Sequence, residues 1–179
     1  MKKTTGIYID LTVLVGADLK EAKPAALKVN SVIIKKIARC VTEELELGNC
    51  ELSICLTDDA GIRELNLQYR DKDKATDVLS FPMDDESCGD GPGGALANSS
   101  DCADCIGARV LGDVAVSIQT ARRQAESYGV GFYEEMARLL THGILHLLGY
   151  DHVNGGRQAA RMKRAEERLM AATAHLYTQ

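Results

Sequence analysis

Apolar residues recur along this chain at two periods, and the changes from one to the other mark its elements. Ile7, Ile9 and Leu11 alternate with polar neighbours, the period of an edge or half-buried strand. Beyond a linker around Pro24, Val29, Ile33, Ile37, Val41 and Leu45 recur every fourth residue. That spacing predicts a packing helix that ends near Gly48, with its lysines and glutamates on the solvated face. Residues 51–57 return to period two and read as a second strand. Thr57, Asp58 and Asp59 can cap a helix through about Tyr69, with Ile62 and Leu65 facing inward. A charged turn leads into a short apolar strand that Pro82 terminates. Residues 110–117 form a further strand, and Ser117 is placed to cap a helix over 118–128 that Gly129 ends. Phe132, Met136, Leu139, Leu140, Ile144, Leu147 and Leu148 predict a buried helix, and a final helix runs to about Thr173.

Composition changes this picture in two places. The 179 residues, 45% of them apolar, suit one domain spanning 1–179 with a substantial core. The basic start and apolar run superficially resemble a secretory signal, but Asp10 interrupts the run. No run approaches membrane-spanning length, so a soluble, cytoplasmic protein with no membrane partner is expected. The net charge of −5 argues against a nucleic-acid partner until its distribution is considered. Asp84, Asp85, Glu86, Asp90, Asp101 and Asp104 fall in a stretch without lysine or arginine, and the rest of the chain has 20 acids against 21 bases. Residues 83–109, rich in glycine, serine and aspartate, are expected to be an acidic flexible insertion on a near-neutral body. Six cysteines make no disulfide-dense pattern; Cys40 and Cys55 read as small buried hydrophobes. Cys102 and Cys105 have metal-ligand spacing, but Cys88 is the one further sulfur at hand, so loop-tip thiols are the favoured reading.

The chemistry concentrates in residues 142–152, which hold three of the four histidines. Four apart on a helix, His142 and His146 project from one face at a distance a single cation bridges. Gly149 suits the helix end, and the turn it allows can bring His152 to the same point. Three neutral nitrogens with a fourth position free is the arrangement of a catalytic zinc site. The spacing H-x-x-x-H-x-x-G-x-x-H is that of the metzincin proteases, which place a glutamate after the first histidine as general base. Here that residue is Gly143, so a peptide-hydrolysing reading loses its base. Arg70, Lys72 and Lys74 form a cationic feature, partly answered by Asp71, Asp73 and Asp77, which in isolation reads as a solvated turn. Arg157, Arg161, Arg164 and Arg168 share one face of the last helix, equally a surface for phosphate and an ordinary soluble face, with Glu166 and Glu167 away from the stripe.

Taken in order, Tyr69-Arg70-x-Lys72-Asp73-x-x-Thr76-Asp77-Val78-Leu79-Ser80-Phe81-Pro82, then Leu111-Gly112-Asp113, then His142-Gly-x-Leu-His146-Leu-x-Gly149-Tyr-Asp151-His152 resemble the YbeY family of endoribonucleases and rRNA maturation factors. The resemblance covers residues from about 50 to 170; it departs at Ala75, where proline is usual, and in the long acidic loop. It implies an α+β fold, a small mixed sheet of about four strands flanked by about five helices, with a zinc site at the end of a buried helix. It also implies one zinc ion per chain on His142, His146 and His152, catalytic roles for Arg70 and His142, and action on ribosomal RNA. The expected activity is single-strand-specific cleavage in small-subunit rRNA 3′-end processing and ribosome quality control, with the small ribosomal subunit as partner. Lys72, Arg157 and Arg161 join Arg70 as candidate RNA contacts, and Asp113 or Asp151 is a candidate to orient a ligand histidine from behind. Whether water or the RNA's own 2′-hydroxyl attacks phosphorus stays open, as does the oligomeric state. The rival reading is a ribosome assembly factor whose zinc is mainly structural and whose cleavage is weak or partner-dependent. Few aromatics and a near-neutral body favour it mildly, since autonomous single-strand binders carry basic grooves and stacking platforms.

Overall fold

The two periods fold into an α+β architecture. A computed structural model describes residues 6–16, 20–21, 27–83, 108–151 and 156–178. In chain order these form β1 (Ile7–Val15), β2 (Lys20–Glu21), α1 (Ser31–Glu44), β3 (Cys50–Thr57), α2 (Asp59–Arg70), β4 (Val78–Pro82), β5 (Arg109–Ser117), α3 (Ile118–Tyr128), α4 (Phe132–Leu147) and α5 (Gly156–Thr173), with a 3₁₀ turn at Ala174–Leu176. The sheet runs β2-β1-β3-β5-β4. β1, β3 and β5 are parallel, and β4 and β2 are antiparallel to their neighbours β5 and β1. Four strands of useful length match the expectation; the two-residue edge strand β2 is an addition to it.

Parallel strands need cover on both faces. Leu52, Ile54, Leu56, Val114 and Val116 join Ile34, Ile37 and Val41 of α1 and Leu140 and Ile144 of α4 in the main core. Leu79 and Ala115 meet Ile62 of α2 in a smaller cluster. α4 is buried over most of its circumference because α1, α3, α5 and the sheet surround it.

Local signals fix most boundaries. Ser117 accepts from the Thr120 N–H at the start of α3, and Gly129 takes the left-handed conformation at its end. Asp58 caps α2 in the same way. α1 differs from expectation: Asn30 caps it, so Val29 precedes the helix, and it ends at Glu44, with Glu46 rather than Gly48 as the first left-handed residue beyond. Cys50 is fully buried, whereas Cys40 and Cys55 are partly buried, and all three are free thiols. Among the described residues no helix is long and apolar enough to cross a membrane. The linker around Pro24, the acidic stretch with Cys88, Cys102 and Cys105, and His152 lie outside the described residues.

Candidate metal centre and nucleic-acid cleft

α4 lies so close to the sheet that the residue after His142 has no room for a side chain. A Cβ on Gly143 would stand 2.7 Å from Val114 Cγ1 and 3.2 Å from Ser80 Oγ. The Ser80 hydroxyl donates to the Gly143 carbonyl at 3.1 Å and ties β4 to this turn of the helix. A glutamate at 143 would therefore drive into β5 rather than reach a substrate, and the base missing from the protease pattern is excluded by packing.

One step round the helix, His142 and His146 are partly exposed. Their Nε2 atoms are 3.1 Å apart, a separation satisfied both by an N–H···N hydrogen bond and by two donors on one ion. Zinc–nitrogen bonds of about 2.0–2.1 Å in tetrahedral geometry put two donor nitrogens roughly 3.3 Å apart, so the pair fits zinc with little rearrangement. The third predicted ligand, His152, falls outside the described residues; among those described, no three metal-binding side chains meet at one point. The helix end at Gly149 is built as expected. Gly149 has φ +77°, its N–H bonds to the His146 carbonyl, and the Tyr150 N–H reaches Leu145, closing the helix with a left-handed glycine.

Arg70 reaches the same cleft from the end of α2. Asp71 there takes the left-handed conformation, with its N–H on the Leu67 carbonyl and that of Lys72 on Asn66. The cleft, about 470 Å³, is lined by Arg70, Thr76, Asp77, Val78, Ser80 and Pro82 on one side and by His142 and His146 on the other. The carboxylates that could neutralise the turn are partly drawn elsewhere. Asp73 pairs with Arg63 at 2.5 Å. Asp77 accepts from Gln124 through one oxygen and from Thr76 and Val78 through the other. Among the described residues no carboxylate pairs with Arg70. Burial alone would push the Asp77 carboxyl up, but the hydrogen bonds from Gln124, Val78 and Thr76 outweigh it and hold the group below its usual range.

The remaining predicted residues separate. Lys72 is exposed and outside the lining of the cleft, as are Arg157 and Arg161, the latter stacked 4.7 Å over the Tyr150 ring. Asp151 is half-buried just past the turn. Asp113 needs correction as an orienting residue. It pairs with Phe81 and precedes Ala115 by two, which puts it on the α2 face of the sheet, charged beside Cys55 and away from α4. A carboxylate that does reach one of the two cleft histidines is that of Glu166, whose Oε1 lies 2.7 Å from His142 Nδ1. In the sequence Glu166 stands only as a charge off the arginine stripe. Its signal was available: Glu166 follows buried Met162 by four residues and precedes buried Leu169 by three, on the face that packs inward.

A family model for "Endoribonuclease YbeY" matches residues 19–174. The chain belongs to the YbeY endoribonuclease family. Among its relatives, the endoribonuclease YbeY of Aquifex aeolicus (strain VF5) is 43% identical over 144 residues, 80% of this chain and 84% of that one. That of Myxococcus xanthus (strain DK1622) is 50% identical over 133 residues, 74% of this chain and 40% of the longer relative. The solution structure of TM1509 from Thermotoga maritima superposes with a TM-score of 0.55 at 24% identity, over 93% of this chain and 89% of that one, a likeness of fold. The stretch matched to the YbeY family includes Arg70, His142 and His146, and also Glu166.

Proposed function

We propose that this chain is a zinc-dependent, single-strand-specific endoribonuclease that acts in small-subunit rRNA 3′-end processing and in ribosome quality control. Its partners are ribosomal RNA and the small ribosomal subunit, in the cytoplasm. The observation that carries the reading is one cleft holding an arginine without a carboxylate partner among the described residues, opposite two histidine nitrogens 3.1 Å apart, in a chain matched to the YbeY endoribonucleases from 19 to 174.

His142, His146 and His152 would hold one zinc ion. When bound, zinc supplies Lewis-acid stabilisation of charge on a phosphoryl oxygen and eases deprotonation of the attacking oxygen. The chain's own residues do the rest. Arg70 offers a planar fork of donors to the phosphate and meets the negative charge that grows on it. Asp77, held ionised and with both oxygens engaged, is a poor general base and serves instead to fix the start of β4 beside the cleft. Ser80 and Gly143 keep α4 against the sheet, which sets the distance between Arg70 and the histidines.

The test is cleavage of an RNA spanning the small-subunit rRNA 3′ end, alone and annealed to its complement, with and without a chelator. The proposal expects cleavage of the single strand, little of the duplex, and loss with chelator that added zinc reverses. Equal cleavage of both forms, or indifference to chelation, contradicts it.

A further inference from the structure

We propose that Glu166 is the positioning residue for His142, holding the imidazole so that Nε2, not Nδ1, offers its lone pair to the metal. This role rests on the zinc reading above. Glu166 comes from a different helix, and its Oε1 stands 2.7 Å from Nδ1 with both side chains partly buried, at 31% and 24% exposure. A carboxylate accepts hydrogen bonds, so its place beside Nδ1 favours the tautomer that carries its hydrogen there and turns the Nε2 lone pair toward a metal. That is the nitrogen directed at His146 Nε2. The carboxylate also makes the imidazole a stronger donor and restrains its rotation.

The register is fixed by packing. Met162 and Leu169, 1% and 0% exposed, belong to the main core, and Glu166 lies between them on the same face of α5. A carboxylate kept on this inward face and, among the described residues, paired with no lysine or arginine is placed for the histidine. A tie that merely joined α4 to α5 would act on stability; a positioning residue acts on the metal.

Zinc affinity of the purified full chain, measured by competition with a chromophoric chelator, separates these roles. Wild type, Glu166→Ala, Glu166→Gln and the packing control Met162→Ala are compared, with thermal unfolding of each metal-free protein. Loss of such a carboxylate typically weakens metal binding 10- to 100-fold, which is the loss expected for Glu166→Ala. Glu166→Gln, whose amide oxygen still accepts from Nδ1–H but carries no charge, should fall between it and wild type. Met162→Ala should lower the unfolding temperature and leave zinc affinity near wild type. If Glu166→Ala binds zinc as tightly as wild type, or Met162→Ala weakens binding as much, the role is overturned. A wild type that binds no zinc overturns the zinc reading itself, and this role with it.

Discussion

Gly143→Ala should destabilise this protein, although the same substitution inside most helices stabilises. Alanine is preferred over glycine in a helix interior by about 1 kcal/mol. Against that, the new Cβ would meet Val114 Cγ1 at 2.7 Å and Cγ2 at 3.3 Å. Val114 is fully buried on a strand paired on both sides, and a β-branched side chain there has no free rotamer to retreat to. Overpacking of this kind costs about 1–3 kcal/mol. The balance is a net loss of about 1 kcal/mol, roughly 2–4 °C in unfolding temperature for a chain of this size. The decisive arm is a Val114→Ala background. Without the two methyls the clash disappears, Ser80 can yield by a few tenths of an ångström, and Gly143→Ala should become stabilising by about 1 kcal/mol. Urea unfolding followed by circular dichroism on all four proteins gives the coupling as a double-mutant cycle. A Gly143→Ala protein as stable as its parent, or the same effect in both backgrounds, refutes the claim that packing against β5 dictates glycine here.

Two further predictions concern titration. The Asp77 carboxyl is lower in the folded state than in the unfolded chain, so its contribution to stability is present above the ordinary aspartate range, near about 4, and is lost as pH falls through it. Asp77→Asn should therefore flatten the decline of unfolding free energy between about pH 5 and 3, whatever it does to stability at neutral pH; an unchanged slope argues against the hydrogen bonds from Gln124, Val78 and Thr76 as its anchor. Burial, and then the charge of Asp113, push the Cys55 thiol up to about 11. At pH 8 about one molecule in a thousand carries the thiolate, so Cys55 should resist iodoacetamide in the native protein and react on unfolding, as read by peptide mass spectrometry. Native labelling as fast as in the unfolded chain would contradict that placement.

Where a residue's role is local, the chain announces it. Ser117, Gly129 and Gly149 occupy the cap and left-handed positions that their chemistry predicts, and the spacing of His142 and His146 alone brings their Nε2 atoms together. What the sequence hid depends on tertiary placement. β5 bulges between Val110 and Gly112, which shifts the faces of the residues beyond, so a strict two-residue alternation read from its start does not reveal that Asp113 lies on the α2 face. Glu166 reads as one more charge on a polar helix until the core positions Met162 and Leu169 orient it, and its partner lies 24 residues away. The charged turn around Arg70 reads as self-neutralising because the sequence cannot show that Asp73 pairs with Arg63 and that Asp77 accepts from Gln124. β2, two residues long, is too short to leave a period.

The most direct measurement of the central claim is cleavage of single-stranded RNA by purified wild type, His142→Ala and Arg70→Ala, each shown to be folded by circular dichroism. If the cleft formed by Arg70, His142 and His146 is the catalytic centre, wild type cleaves and both folded variants lose nearly all of that activity. Cleavage at the same rate by all three would place the chemistry elsewhere and contradict the account.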